Sequence, residues 1–266
     1  MLFAVAACRR PSSRPTSPAT RFVVPASQRE HYGEALVVLP DSYYVNDRRR
    51  GDASPVTRAE AGLPPGGFVF CCFNQTYKIL PDAFRRWMRI MAEVPGSLLW
   101  LLDTNRWARD NLRREAETRG LDPARLIVAG HAALADHLAR QPLADLFLDT
   151  LPFNAGTTCN DALFMGVPVL TQAGHSFAAR MAASLLHAMD LPELVCATQD
   201  DYVAQAVALA ADPARQQALR ARVQQQRDHG RLFDTARFTH FVAEALSVPV
   251  ASVPDICAEK PISSRL

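Results

Sequence analysis

Short apolar runs alternate with amphipathic segments between residues 68 and 197, and this alternation restricts the possible folds more than any other feature of the chain. Six apolar runs are short enough to be buried strands: 69–73, 97–103, 126–130, 146–150, 167–171 and 194–197. The segments between them place apolar residues at helical spacing, at 81–94, 107–120, 134–141 and 177–189. This order predicts an α/β fold, a doubly wound parallel sheet with helices on both faces.

The flanks of this region have a different character. Three C-terminal helices are predicted at 199–211, 213–226 and 235–246, followed by a tail over 248–266. Residues 1–21 are rich in Pro, Ser and Arg and are predicted to be disordered, with a transit peptide as the alternative interpretation. Residues 22–58 offer one short strand, at 34–40, and are predicted to be the remnant of a preceding domain. The folded lobe is therefore predicted over 59–247.

Composition excludes several classes of protein. A net charge of +2 over 266 residues does not favour nucleic acid or an acidic membrane as a partner. No apolar run approaches the roughly 20 residues needed to span a bilayer. The six cysteines show neither CxxC pairs nor the spacing of zinc ligands. We therefore expect reduced thiols and a cytoplasmic location.

The stretch from 146 to 166, LFLDTLPFNAGTTCNDALFMG, combines a buried strand, a loop of small residues and a helix that begins near Thr157. In a parallel sheet such a junction lies at the carboxyl edge, where ligands bind. The start of a helix offers unpaired N–H donors and a partial positive charge, which suit a phosphate. An ordinary strand-to-helix turn that binds nothing is the alternative. The chain has neither GxGxxG nor GxxxxGK[ST], so any phosphate is bound by a different loop.

Polar residues follow four of the predicted strands and should meet at this edge. They are Gln75 and Lys78, then His131 and His137, then Asn154, Thr157, Thr158 and Asp161, and finally Gly174, His175, Ser176 and Arg180. A lysine beside a diphosphate stabilises the charge that develops on a leaving group. An aspartate one helical turn past the threonines can accept hydrogen bonds from ribose hydroxyls.

Three segments carry a family resemblance: FCCFNQTYKILPDAFRRWMRIMAEVPGSLLWLL, LADLFLDTLPFNAGTTCNDALFMGVPVLT and GHSFAARMAASLL. Over residues 22–247 the chain resembles the carboxyl-terminal half of the protein O-linked N-acetylglucosamine transferase and SPINDLY family, glycosyltransferase family 41. The resemblance implies a Rossmann-like sheet that forms the second lobe of a GT-B glycosyltransferase. It also implies transfer of GlcNAc from UDP-GlcNAc to Ser or Thr of a protein acceptor, without a metal or other cofactor. The SPINDLY branch uses GDP-fucose.

The resemblance assigns roles to residues at two of the predicted loops. Gln75 and Lys78 would contact the diphosphate, and Lys78 would stabilise the departing UDP. Ala132 and His137 would contact the uracil and ribose, with Arg140 nearby.

The third loop is assigned in the same way. Thr157 and Thr158 would bind phosphate, and Asp161 the ribose. Gly156 stands where the animal enzymes have a histidine before the threonine pair, which should weaken or reshape nucleotide binding.

The resemblance leaves the activity of this chain open, because the sequence shows neither tetratricopeptide repeats nor a first catalytic lobe. One hypothesis is an active transferase, alone or with a separately encoded first lobe or tetratricopeptide-repeat protein. A second is a truncated, inactive UDP-binding module, and a third is another GT-B enzyme such as a sugar-nucleotide epimerase.

Overall fold

A computed structural model of the protein describes residues 16–44, 46 and 54–247. The chain divides into two compact units, one of residues 49–230 and one that combines 1–48 with 231–266. The predicted tail, 248–266, and the first 15 residues of the stretch predicted to be disordered lie outside the described residues.

The smaller unit contains two short parallel strands, β1 (Thr16–Ala19) and β2 (Ala35–Val38), with a 3-10 helix at Ala26–His31 between them. The strand predicted at 34–40 is confirmed as β2. The prediction of disorder over 1–21 is wrong for residues 16–19, because pairing with β2 satisfies their backbone groups and Ala19 is fully buried. A proline-rich stretch with a partner 19 residues further along the chain gives no local sign of that pairing.

The larger unit is built on a parallel sheet of six strands. The strands are β3 (Val69–Cys72), β4 (Leu98–Leu102), β5 (Leu126–Ala129), β6 (Leu146–Leu148), β7 (Val169–Gln172) and β8 (Val195–Cys196). Their order across the sheet is β5-β4-β3-β6-β7-β8, with every pair parallel. This is the Rossmann order, in which the winding reverses between β3 and β6. The predicted doubly wound parallel sheet is confirmed.

Seven helices of this unit lie at the positions predicted from apolar spacing. They are α1 (Pro81–Glu93), α2 (Arg106–Thr118), α3 (Leu134–Arg140), α4 (Thr157–Phe164), α5 (Met181–Ala188), α6 (Gln199–Ala211) and α7 (Pro213–His229). In α1, Phe84, Trp87, Met88 and Met91 recur at helical spacing, and all four side chains are buried. The proline at its first position costs no hydrogen bond there.

Helix α5 begins four residues later than its predicted start at 177. The carbonyl groups of Ala178 and Ala179 accept hydrogen bonds from the backbone N–H groups of Asn154 and Gly174, at 2.9 and 2.7 Å. Those carbonyls are therefore engaged by neighbouring loops, and the helix forms only from Met181.

The last described helix, α8 (Thr235–Ser247), belongs to the smaller unit although the lobe was predicted to extend over 59–247. The hydroxyl of Thr235 donates to the carbonyl of Asn46 at 2.9 Å, and the Asn46 amide donates to the carbonyl of Leu232 at 3.0 Å. Arg237 forms an ion pair with Asp41. These bonds join segments that are almost 200 residues apart, which sequence spacing could not indicate.

The amino edge of the six-stranded sheet is closed by residues of the same unit. Asp145 accepts a hydrogen bond from the backbone N–H of Val69 at 2.8 Å, so it caps the start of β3. Arg220 of α7 donates to the carbonyl groups of Pro142 and Ala144, just before β6. In the described residues, no helix is long and apolar enough to cross a membrane.

Candidate functional site

The loops that follow β3 and β6 contact each other directly at the carboxyl edge of the sheet. Lys78 lies in a 3-10 helix, Thr76–Lys78, and its Nζ donates to the carbonyl oxygen of Asn154 at 3.1 Å. The Thr158 hydroxyl, at the start of α4, donates to the side-chain oxygen of Asn74. Because β3 and β6 are neighbours at the reversal of the winding, both loops border the crevice where such folds bind ligands. Lys78 and the threonine pair therefore share one edge.

Lys78 is half-buried, and its ammonium group lies 3.7 Å from the centre of the Phe153 ring. Burial lowers the pKa of Lys78, while the nearby carboxylate of Asp149 acts in the opposite direction. One N–H bond of the ammonium is used by the Asn154 carbonyl, and an aromatic face supports the cation from another side. An ammonium has three donors, so the group retains capacity to bind an anion.

Asp149 organises the loop between β6 and α4 from a fully buried position. Its carboxylate accepts hydrogen bonds from the backbone N–H groups of Thr150 and Ala155, both at 2.7 Å, and from the Thr171 hydroxyl at 2.6 Å. Burial raises its pKa to about 6 because desolvation outweighs these donors. The loop is thus tied at both ends to one carboxylate, which fixes where α4 begins.

Two asparagines complete this network. The Asn74 amide donates to the Thr150 hydroxyl at 2.8 Å, and the Asn154 amide donates to the Thr150 carbonyl at 2.8 Å. Asn74 therefore links the loop after β3 to both ends of the loop after β6, since it also accepts from Thr158. In the described residues, the side-chain oxygen of Asn154 is a member of this network that is buried without a hydrogen-bond partner.

The first turn of α4 faces the same edge as Lys78. Its N-cap is Gly156, which provides no side-chain cap, so the first N–H groups of the helix depend on other acceptors. Thr157 is exposed and Thr158 is half-buried. Asp161 lies one turn later and is 5% exposed, so little of it is accessible to a ligand. A Cβ at Gly156 would lie 2.9 Å from the terminal methyl of Met181, so a larger residue would displace that side chain.

Helix α3, which follows β5, brings a third loop to this edge. Arg140 donates from Nη1 to the carbonyl of Gly130 at 2.8 Å, and its Nη2 lies 2.8 Å from Nδ1 of His137. The His137 ring makes a T-shaped contact with Phe73, at the end of β3, with the ring centres 5.1 Å apart. Burial lowers the pKa of His137 to about 4, and the charge of Arg140 and then His131 adds to the effect. His137 is therefore neutral near pH 7.

The remaining candidates lie on loops at this edge but form fewer contacts. Gln75 is exposed at the start of the 3-10 helix, and Ala132 and His131 are exposed before α3. After β7, the Arg180 guanidinium donates to the carbonyl of Gly174 at 3.2 Å.

Two more candidates follow β7, His175 and Ser176, and both are exposed. The Ser176 hydroxyl accepts from the backbone N–H of Ala179 at 3.2 Å, which closes the turn before α5. It therefore serves the local turn in this structure.

Sequence reasoning missed three residues of this edge: Asn74, Asp149 and Phe153. The sequence does contain an indication for Asp149, because it directly follows an apolar strand, and the ends of parallel strands present side chains to a ligand or loop. Asn74 and Phe153 had none, because their roles depend on which loops become neighbours.

The described residues include no cluster of three His, Cys, Asp or Glu side chains that could hold a metal ion. The site is instead a lysine and a helix that begins with the exposed Thr157, placed on either side of the reversal of a Rossmann-type sheet. These features define a lobe suited to binding a phosphate-bearing nucleotide.

Comparisons with known proteins identify the family. The sequence profile of glycosyl transferase family 41 matches residues 51–242, and the chain belongs to this family. The UDP-N-acetylglucosamine–peptide N-acetylglucosaminyltransferase of Caenorhabditis elegans is 40% identical over 190 residues, covering 71% of this chain and 16% of that protein. The probable enzyme of the same kind named SEC, from Arabidopsis thaliana, is 36% identical over 224 residues, covering 82% and 23%.

A solved structure supports the same assignment. A mutant O-GlcNAc transferase of Thermobaculum terrenum matches with a TM-score of 0.71 at 28% identity, covering 86% of this chain and 44% of that one. The resemblance found in the sequence is confirmed. The chain spans less than a quarter of the length of the two curated relatives.

Proposed function

We propose that this chain is the donor-binding lobe of a protein O-glycosyltransferase that transfers GlcNAc from UDP-GlcNAc to Ser or Thr hydroxyls. The observation that carries the proposal is the direct contact between the Lys78 loop and the loop that leads into α4. Family membership and the names of the two relatives support a UDP-sugar donor and a peptide acceptor.

In this proposal the diphosphate lies between Lys78 and the first turn of α4. The backbone N–H groups of Thr157 and Thr158 and the hydroxyl of Thr157 bind phosphate oxygens, and Gln75 contributes from the opposite loop. The Thr158 hydroxyl donates to Asn74 and so holds the loop in place. The Lys78 ammonium stabilises the negative charge that grows on UDP as the glycosidic bond to the sugar breaks. No metal is needed, because the lysine and the helix start supply the positive potential.

The nucleoside extends from the diphosphate toward α3. Ala132 and His137 contact the uracil and ribose, Arg140 borders that pocket, and the small accessible part of Asp161 faces the ribose. We expect the protein to act in the cytoplasm.

The alternative, a UDP-binding module without turnover, draws support from Gly156 and from Met181, whose methyl lies where a side chain at 156 would project. The carboxyl edge also carries the five large apolar side chains that are exposed within the described ranges, at Tyr77, Leu80, Trp107, Leu134 and Phe153. All five follow strands β3 to β6. They favour a separately encoded first lobe, or a tetratricopeptide-repeat protein, as a partner that covers this edge.

Calorimetric titration of the purified chain with UDP tests the donor site. We expect saturable binding of UDP that is weaker for UMP, because the second phosphate is the one that Lys78 contacts. GDP and ADP serve as controls for the base, and binding of GDP in place of UDP would assign a donor of the SPINDLY kind. Absence of heat at millimolar UDP would overturn the proposal.

Incubation with labelled UDP-GlcNAc and a protein acceptor separates the enzyme from the inactive module. The reaction is run with this chain alone and with a first lobe added from a family 41 enzyme. Label on the acceptor in either reaction supports the transferase. UDP binding without label in both reactions supports the inactive module.

A further inference from the structure

The two ring nitrogens of His137 have different partners: Arg140 contacts Nδ1, and the side-chain amide of Gln141 contacts Nε2. Gln141 is fully buried and directly follows α3, and its Nε2 is placed 3.1 Å from Nε2 of His137. The other ring nitrogen, Nδ1, lies 2.8 Å from Nη2 of Arg140. Both nitrogens of the imidazole are therefore engaged by neighbouring side chains, and the proton on the ring must satisfy both contacts.

The contact with Arg140 decides where that proton is. A guanidinium carries only donors and keeps its charge in proteins, so Nδ1 of His137 must accept. A neutral imidazole with a lone pair on Nδ1 has its proton on Nε2. His137 is thus a donor toward Gln141.

The orientation of the Gln141 amide then follows. As placed, its NH₂ group faces the Nε2–H of His137, donor against donor, while its oxygen Oε1 is buried without a hydrogen-bond partner in the described structure. Rotating the amide by half a turn exchanges its oxygen and nitrogen, two atoms of nearly the same size, without moving the rest of the side chain. The oxygen then accepts from Nε2–H, which removes the contact between two donors, and the NH₂ group takes the buried position of the oxygen.

We infer that Gln141 is a positioning residue that holds His137 neutral with its proton on Nε2, so that His137 orients Arg140 beside the nucleoside. The inference rests on the proposed function for its consequence, the nucleoside contact. It also limits that contact: with both ring nitrogens engaged, His137 meets the base through its ring and not through a ring nitrogen. The groups that face the imidazole are Gln141, Arg140, His131 and the Phe73 ring.

Nitrogen-15 NMR of the histidine side chains tests the proton position without any ligand. For His137 we expect the chemical shift of Nδ1 in the range of an unprotonated nitrogen and that of Nε2 in the range of a protonated one. A free histidine titrates between about pH 5 and 8, and we expect no such titration for His137. A proton on Nδ1, or a ring that titrates within that interval, would overturn the inference.

Two substitutions test the consequence for binding. Gln141→Met keeps the volume but removes the acceptor, and we expect it to weaken UDP binding by about tenfold at every pH. Gln141→Glu keeps an acceptor and adds a charge that favours the protonated ring. A protonated Nδ1 would repel Arg140, so this variant should bind UDP nearly as wild type at pH 8 and about tenfold more weakly at pH 6.

Each affinity is compared with wild type at the same pH, so that the titration of UDP itself cancels. Gln216→Met and Gln216→Glu are matched controls, because Gln216 is also buried but lies at the amino edge, where it donates to the carbonyl of Asp145. Wild-type affinity in both Gln141 variants at both pH values would contradict the positioning role. Wild-type protein that shows the expected proton position but binds no UDP would instead reject the proposed function.

Discussion

The two edges of the six-stranded sheet differ in how their polar groups are used. At the amino edge, Asp145 caps β3, and Arg220 covers the carbonyl groups that precede β6. At the carboxyl edge, Asp149 and Asn74 also bond within the unit, but the Lys78 ammonium is only half-buried and Thr157, at the start of α4, is exposed. The large apolar side chains that are exposed in the described ranges also lie on this side.

This difference separates residues that stabilise the lobe from residues that are arranged for a ligand. At the amino edge the guanidinium of Arg220 donates to carbonyl groups of the segment that leads into β6. At the carboxyl edge Lys78 is only half-buried, and its ammonium donates to the carbonyl of Asn154. Burial lowers the pKa of this lysine. The same sheet therefore has one closed and one open edge, and substitutions at the two edges should affect different properties.

The largest effect is expected at Lys78. We expect Lys78→Ala to reduce transfer by about 100-fold or more, since removal of a group that stabilises transition-state charge typically has this cost. UDP affinity should fall by less than about tenfold, because the charge of the leaving group is greatest in the transition state. The measurements are initial rates, with the first lobe supplied if required, and calorimetry.

The matched control is Arg114→Ala, which removes a positive charge on the exposed side of α2. It should leave rate and affinity unchanged. Equal, modest losses of rate and affinity in Lys78→Ala would count against the role of this lysine as a stabiliser of the leaving group.

Two carboxylates, the buried one of Asp149 and the partly buried one of Asp145, sharpen the comparison of the edges. The Asp149 carboxylate accepts three short hydrogen bonds, and Asp149→Asn replaces one of its oxygens by an NH₂ group, which can only donate. We expect this variant to lose about 2–3 kcal/mol in the free energy of unfolding and to bind UDP more weakly. Asp145→Asn should cost about 1 kcal/mol and leave UDP binding unchanged. Urea unfolding and calorimetry measure both quantities. A loss of UDP affinity in Asp145→Asn as large as in Asp149→Asn would refute the division between edges.

The pH dependence of stability tests the environment of His137. Its pKa is about 4 in the folded protein against an ordinary value of 6.5, so as the pH falls below 6.5 the unfolded chain takes up a proton that the folded ring does not. The contribution of the neutral His137 ring to the free energy of unfolding is therefore complete above pH 6.5 and is lost as the pH falls toward 4. After allowance for solvent screening at a half-buried group, wild type should lose about 1–2 kcal/mol more than His137→Phe over this interval.

Urea unfolding of both proteins at pH 7 and pH 4.5 measures this difference. The comparison concerns the change between the two pH values, since His137→Phe also loses the bond to Arg140 and is less stable throughout. Equal changes in the two proteins would show that the ring titrates as freely as in the unfolded chain.

The smallest effect is expected at Gly156. Gly156→His alone brings a side chain against the methyl of Met181, whereas Gly156→His with Met181→Ala clears that space. We expect the double variant to bind UDP a few-fold more tightly than wild type or Met181→Ala, because the imidazole adds a donor beside the phosphate site. Weaker binding in the double variant than in Met181→Ala would show that the loop is not arranged for a side chain at this position.

Much of the larger unit could be predicted from sequence because its elements are recorded in local patterns. Strands β3 (Val69–Cys72) and β6 (Leu146–Leu148) are uniformly apolar because both faces of a parallel strand are covered, and α1 shows its buried face in Phe84, Trp87 and Met91. Features that rest on distant partners left no such trace. β1 depends on β2, α8 is joined to Asn46, and the late start of α5 follows from bonds to Asn154 and Gly174.

The candidate site was predictable to the same degree. Lys78 and the threonine pair follow neighbouring strands, so topology alone places them at one edge, and the structure brings their loops into contact. Two of the buried supports could not be found in this way. Asn74 and Gln141 act through partners that only folding brings close, and their residue types alone do not distinguish such roles from ordinary burial.

Backbone amide NMR of the chain during titration with UDP tests the central claim most directly, because it locates the ligand on one of the two edges. We predict that the amide signals of Lys78, Thr157 and Thr158 shift and saturate together, while those of Val69 and Asp145 do not move. Saturable shifts at the amino edge, or shifts at Lys78 without any at the start of α4, would contradict a diphosphate site shared by the two loops.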